Sequence, residues 1–157
     1  MDTRPLLSNS RRDELDAVAS ELLRLCGVER APVPIEEILR RPPGDMWQPD
    51  LDDLSLQSFE AHERYAARPT IARLVARYIA LADWGRQRRL TVDSEFTADE
   101  ARYLGRALLM PKEWMSLLLL SERNPASVRL RFHVPEAEAA ARLAELNLIA
   151  SRPESAA

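Results

Sequence analysis

Cysteine is almost missing from this chain. Cys26 is the only one in 157 residues, which rules out an intrachain disulfide and any thiolate pair for a metal, and suits a reducing compartment. Histidine is nearly as scarce. His62 and His133 lie far apart, so no close-spaced imidazole pair is available as ligands, and both read as ordinary surface or turn residues. The four glycines, Gly27, Gly44, Gly85 and Gly105, are scattered and form no phosphate-cradling loop, so nucleotide binding has no sequence support. Lys112 is the only lysine; the arginine-dominated positive charge and abundant alanine read as base composition of the gene rather than as function. Long apolar runs are lacking too. Met1 to Ser10 contains no stretch fit for a signal peptide, and Leu117 to Leu120 is far too short to span a bilayer. The expected location is the cytoplasm. A formal charge of −3 gives no general attraction to nucleic acid or to an anionic membrane, and leaves only a local basic patch open.

What is present suits one globular domain: 46% hydrophobic and 30% charged residues supply both a core and a solvated surface. The expected domain covers 10–150, with frayed ends at Met1 to Asn9 and Ser151 to Ala157. The pattern is mainly α, with at most a short sheet. Ser10 is placed to cap a helix carrying Leu15, Val18, Leu22, Leu23 and Leu25 at helical spacing, ending near Gly27. Cys26 reads as a small core hydrophobe beside that helix end. Pro34 opens a short helix through Ile35, Ile38 and Leu39, halted by Pro42-Pro43-Gly44. Asp45 to Ala67 is acidic and irregular. The spacing then predicts one helix over 69–87 with Ile71, Leu74, Val75, Tyr78 and Ala82 on one face, and a short extended segment at Arg89 to Val92. Thr97 caps the next helix, with Glu100 three residues on as in a capping box. Pro111 starts another, through Trp114, Met115 and Leu117 to Leu120, whose leucine density exceeds what one face can bury and leaves apolar surface for a partner. Candidate core residues are Leu22, Leu25, Ile38, Ile71, Leu74, Val75, Tyr78, Leu104, Leu108, Leu109, Trp114, Leu118, Leu143 and Leu146.

Several segments, in order, carry a resemblance. Arg68-Pro69-Thr70-Ile71-Ala72, then Asp99-Glu100-Ala101-Arg102-Tyr103-Leu104 running into Ala107-Leu108-Leu109-Met110-Pro111, then Phe132-His133-Val134-Pro135 through Ala141 to Ile149, are similar to successive motifs of the ImmA/IrrE family of metallopeptidases. In that family Arg-Phe-Thr-x-Ala commonly precedes His-Glu-x-x-His; Glu-x-Glu-Ala-Asn-x-Phe-Ala and Leu-Leu-Met-Pro follow, and later Phe-x-Val-Ser and Arg-Leu-x-x-Leu-Gly-Leu. A fainter likeness covers Leu22 to Leu39. The resemblance implies a zincin-like helical domain whose small sheet, usually held in the interval corresponding to Asp45 to Ala67, is reduced or absent here.

Where the family carries His-Glu-x-x-His, this chain has Arg73-Leu74-Val75-Ala76-Arg77. The two histidine ligand positions thus become Arg73 and Arg77, the general-base position becomes Leu74, and only Glu100 matches a ligand, the third. Zinc catalysis needs three lone-pair donors and an open site for water. A guanidinium stays protonated and has no lone pair to give. Neither catalytic residues nor bound zinc is therefore expected. Ala61-His62-Glu63 imitates the motif, but position 66 is alanine and the segment lies upstream of Arg68. Arg73 and Arg77, one helical turn apart, read either as a solvated pair or as a replacement for the metal, one guanidinium pairing with Glu100 or Asp99. Glu100 is assigned equally to that ion pair and to the capping box.

Helices near Pro125 to Phe132 and from Pro135 through Ala139, Leu143 and Leu146, joined at His133-Val134, give a helix-turn-helix outline. The second begins Pro135-Glu136-Ala137-Glu138, acidic where a DNA reader would present basic or amide groups. Arg123, Arg129 and Arg131, before the turn, are the residues placed to contact phosphate in a DNA-binding version. Three readings follow. The preferred one is a catalytically inactive member of the ImmA/IrrE family that retains the scaffold as a protein-interaction or regulatory module. Active members cleave helix-turn-helix repressors in phage, mobile-element or stress-response regulation, so such a repressor is the partner the resemblance implies. The alternatives are a metallopeptidase with relocated ligands, drawing on Glu100 with Asp99, Asp93 or a histidine, and a DNA-binding protein using the terminal helices.

Overall fold

A computed structural model of the chain describes residues 7–49, 65–91 and 95–149. Among these the protein is mainly helical and contains no strand. The expected sheet remnant between Asp45 and Ala67 falls largely on 50–64, outside the described residues, as do His62, Asp93 and most of the expected frayed ends.

Helix α1 spans Asn9–Leu25 and is capped by Ser8, whose hydroxyl accepts from the Arg11 amide at 3.1 Å. The cap is therefore Ser8 rather than Ser10, and residues 7–9, expected to fray, already belong to the helix start. Leu15, Val18, Leu22 and Leu23 are buried as their spacing requires, but Leu25 is 53% exposed. Its spacing continues the stripe of Leu15, Val18 and Leu22, but it stands at the last residue of the helix. Cys26 closes the helix half-buried, and burial raises its thiol pKa above the ordinary value. Helix α2, Ile35–Arg40, follows Pro34 as expected and is succeeded by a 3-10 turn at Pro43–Asp45.

The expected single helix over 69–87 is two helices, α3 at Arg68–Leu81 and α4 at Asp83–Gln87, separated by Ala82 in an extended conformation. The break folds α4 back so closely that a Cβ on Gly85 would stand 1.9 Å from the Ile79 carbonyl oxygen. No helical periodicity signals this, because the determinant is a missing side chain. Of the segment expected to be extended at Arg89 to Val92, the described part is not: Arg89 takes φ +62 and Leu90-Thr91 is a bend, with the Thr91 hydroxyl donating to the Ala80 carbonyl at 3.1 Å; Val92 is outside the described residues.

Helix α5, Ala98–Leu109, is the centre of the fold. Its most extensive partner is α3, then α1, and it also meets α8. Burial accordingly runs nearly all the way round it, from Ala101 and Tyr103 through Leu104 to Leu109. The α3 face turned to this centre is Ala72, Val75, Ala76 and Ile79, all fully buried, while Leu74 and Tyr78, expected in the core, are half-buried at its margin. Small residues occupy the crossing because the backbones nearly touch there. A Cβ on Gly105 would lie 3.2 Å from the Arg73 amide nitrogen.

Helix α6, Lys112–Ser116, starts after Pro111, and a 3-10 turn follows at Leu120–Glu122. Of the leucine run only Leu118 is buried; Leu117, Leu119 and Leu120 are 82, 66 and 73% exposed. Helices α7, Pro125–Phe132, and α8, Glu136–Glu145, are joined by a turn in which His133 takes φ +56. Phe132, Val134, Ala139 and Leu143 bury the inner side of this pair, with Leu146 and Trp114 half-buried. Each fully buried leucine or phenylalanine contributes about 1.5–3 kcal/mol relative to exposure.

Candidate functional site

The positions singled out by the motifs lie where α3, α5 and α1 meet. Thr97 and Glu100 form the capping box that starts α5: the Glu100 amide donates to the Thr97 hydroxyl at 3.1 Å, and the Thr97 amide to Glu100 Oε1 at 3.3 Å. This box is encoded locally and was readable from the residue spacing. The other oxygen of Glu100 goes to Arg11. Arg11 Nε donates to Oε2 at 2.8 Å and Nη2 to the same oxygen, while the guanidinium also donates to the Leu90 and Arg89 carbonyls at 3.1 Å each. A nearly buried carboxylate thus joins the start of α1, the 89–90 bend and the start of α5 through charge-assisted bonds.

The pairing of Glu100 with Arg73 or Arg77 is accordingly corrected to a pairing with Arg11, and Asp99 pairs with its own helix neighbour Arg102 at 3.2 Å. Arg73 stands opposite Gly105. Glu100 is five residues back from Gly105, about 140° round the helix and one and a half turns along it, so its carboxylate leaves on another side. Half-buried Arg73 lies back along α3, its Nε donating to the Pro69 carbonyl at 3.3 Å; Arg77 is exposed, and Leu74 is half-buried. Among the described residues no three His, Cys, Asp or Glu side chains converge as a ligand set.

The difference between a locked carboxylate and a solvated arginine is measurable. Glu100→Ala should lower stability by about 2 kcal/mol, the scale of hydrogen bonds to charged groups, whereas Arg77→Ala should stay within about 0.5 kcal/mol. Urea denaturation of both variants checks this. Equal effects from the two would refute the assignment of Glu100.

The three arginines expected to face phosphate are held within the chain. Arg123 donates to the Leu118 and Ser116 carbonyls, both at 3.1 Å, Arg131 to Glu122 at 2.6 Å, and Arg129 lies over the Tyr65 ring, 5.2 Å from its centroid. Tyr65 also stacks on His133 at 4.7 Å. The turn at His133 is tied to α3 by Arg68, a residue whose role the motif match did not reveal. Its Nε donates to the His133 carbonyl at 2.8 Å and Nη2 to the Val33 carbonyl at 2.6 Å, and Nη1 pairs with Glu36. Helix α8 is equally committed to packing: Arg106 of α5 pairs with Glu138 at 2.8 Å and with Glu145.

The least expected cluster is wholly internal. Arg142 of α8 is 0% exposed; its Nη2 donates to Asp16 Oδ1 at 2.7 Å and its Nε to the Met110 carbonyl at 2.9 Å. Tyr103 donates its hydroxyl to the other Asp16 oxygen at 2.7 Å, and the Arg142 guanidinium lies 5.4 Å from the Tyr103 ring centroid. Burial, reinforced by the bond to Asp16, pushes the Tyr103 phenol above its ordinary range, so it remains a neutral donor. This triad links α1, α5 and α8. Asp16, Tyr103 and Arg142 fall at helical positions compatible with the apolar stripes, but nothing in their spacing marks them as partners. No family model, no curated protein and no solved structure matches the chain.

Proposed function

We propose that this chain is a non-catalytic helical scaffold, an ImmA/IrrE-like pseudopeptidase that acts by binding another protein. The reading is carried by Glu100, the one side chain at a family ligand position that retains a donor. Both its oxygens are engaged, Oε1 by the Thr97 amide and Oε2 by Arg11. Metal coordination there would compete with a capping box and a charge-assisted clamp, and the other two family ligand positions, Arg73 and Arg77, offer no lone pair. The residues present do not fit zinc in the family manner, and no catalytic step is assigned to them.

Interaction is the activity that such a scaffold retains, and exposed leucines supply apolar contact surface. By the same resemblance, the proposed partner is a repressor of the helix-turn-helix type, bound without cleavage, and the proposed location is the cytoplasm. Among the described residues no helix is long and apolar enough to cross a membrane. The DNA-binding reading is not favoured, since Arg123 and Arg131 are engaged within the chain and α8 opens with Glu136 and Glu138.

Elemental mass spectrometry of purified, untagged protein, after incubation with zinc and removal of the excess, tests the proposal. Zinc near zero per chain is the expected result. Close to one zinc per chain would overturn the non-catalytic reading and favour relocated ligands.

A further inference from the structure

Helices α3 and α5 run antiparallel. The Thr91 hydroxyl bonds the Ala80 carbonyl near the end of α3, and Arg11 joins the 89–90 bend to Glu100 at the start of α5. The two backbones come together where Gly105 meets Ala72 and Arg73. One turn from that contact towards the end of α3 stands Arg77, and one turn towards the start of α5 stands Arg102; both are exposed. Antiparallel placement sets them side by side, their Cβ atoms within roughly 10 Å at the usual interaxial distance. They also share a flank. Arg77 lies about 100° round α3 from Ala76 and Arg102 about 60° round α5 from Gly105, and in an antiparallel pair the same sense of rotation emerges on the same side. The opposite flank is closed by Val75, Ile79, Ala101 and Leu104, all buried.

The nearby carboxylates leave this flank positive. Glu100 is turned away to Arg11, and Glu138 is taken by Arg106. Arg102 pairs with Asp99 of its own helix at 3.2 Å, a half-exposed surface bond that competes weakly with another carboxylate. Leu81, 66% exposed, continues the Arg77 stripe by one turn. We propose that this flank binds an acidic helical segment of another protein. Two carboxylates one turn apart on that segment meet Arg77 and Arg102 through charge-assisted bonds, and an apolar residue meets Leu81. A phosphate backbone is a poorer fit: the chain carries a net charge of −3, and α8, joined to α5 through Arg106, opens with Glu136 and Glu138. Localised carboxylates on a helix match two localised cations, whereas a continuous polyanion also meets those acidic groups. The inference deepens the reading of the chain as a protein-binding scaffold and rests on it.

The probe is a fluorescein-labelled, alanine-based helical peptide bearing two glutamates one turn apart and a leucine one turn beyond, followed by fluorescence anisotropy at low salt. Circular dichroism verifies that each variant remains folded. The wild-type chain should bind with a Kd of tens of micromolar. Arg77→Glu and Arg102→Glu should each weaken binding by about tenfold, and the two combined should instead bind the same peptide with lysines in place of its glutamates. Arg41→Glu, a reversal at an 84% exposed arginine on α2, should leave the affinity unchanged. Absence of wild-type binding overturns the proposal. Equal losses from Arg41→Glu and from the α3 and α5 reversals also overturn it, because attraction is then general rather than local. A polythymidine oligonucleotide that binds more tightly with the same arginine dependence overturns it as well, assigning the flank to nucleic acid. None of these outcomes alters the zinc content, and one zinc per chain would overturn the non-catalytic reading whatever the peptide does, so the two failures are distinguishable.

Discussion

Arg142→Met is expected to lower stability by about 3–5 kcal/mol, the cost of removing one partner from a buried ion pair. Methionine keeps much of the volume of the arginine stem but takes away the bonds to Asp16 and to the Met110 carbonyl and the ion pair to Glu145 at 3.5 Å. Asp16, 6% exposed, is then a buried carboxylate held only by the Tyr103 hydroxyl. The penalty arises from this stranded charge more than from the lost attraction, because the intact pair has itself been desolvated. Consequently the triple change Asp16→Leu, Tyr103→Phe and Arg142→Met should recover part of the loss, having removed the Asp16 charge and the hydroxyl together and left Glu145 paired with Arg106. For a chain of this size the single variant should melt roughly 10 °C lower. Differential scanning calorimetry of the single and triple variants decides the matter. A single variant within 1 kcal/mol of wild type would show that the triad does not hold the three helices together.

Gly85→Ala is the second change with a large expected effect, about 3 kcal/mol, at the upper end of overpacking costs. The added methyl carbon would meet the Ile79 carbonyl oxygen at 1.9 Å and its carbon at 2.8 Å. Both are backbone atoms, so no rotamer change relieves the contact, and the α3–α4 junction must open. Ile79 is fully buried, so opening also disturbs the face that packs against α5. Helix propensity predicts the opposite sign, since alanine is favoured over glycine by about 1 kcal/mol inside a helix. Thermal unfolding therefore separates the two effects cleanly: a stabilised Gly85→Ala variant would mean that α4 does not fold back as described.

The contrast between the capping box and the triad shows why one part of the site was legible and the other was not. Thr97 and Glu100 are three residues apart, and their reciprocal bonds follow from helix-start geometry alone. The second partner of Glu100 lies 89 positions away, and only the packing of α1 on α5 selects Arg11 from the many arginines in the chain. Matching motif positions suggested Arg73 and Arg77 instead; the rotation between Glu100 and Gly105 on α5 sends the carboxylate elsewhere. Among the leucines of 117–120, periodicity indicated more apolar surface than one face could cover. It did not indicate that Leu118 is the one enclosed.

By itself the sequence determined the mainly helical composition of the described residues, the starts of α2, α5 and α6, and part of the apolar core, because these depend on local spacing, prolines and caps within a few residues. Tertiary structure alone decided the break at Ala82, the capture of Glu100 by Arg11, and the burial of Arg142 against Asp16 across 126 positions of sequence. The physical reason is the same in all three. A charged side chain or a glycine has the same local signature whether it meets water or another helix, and only the approach of distant backbone and charge determines which.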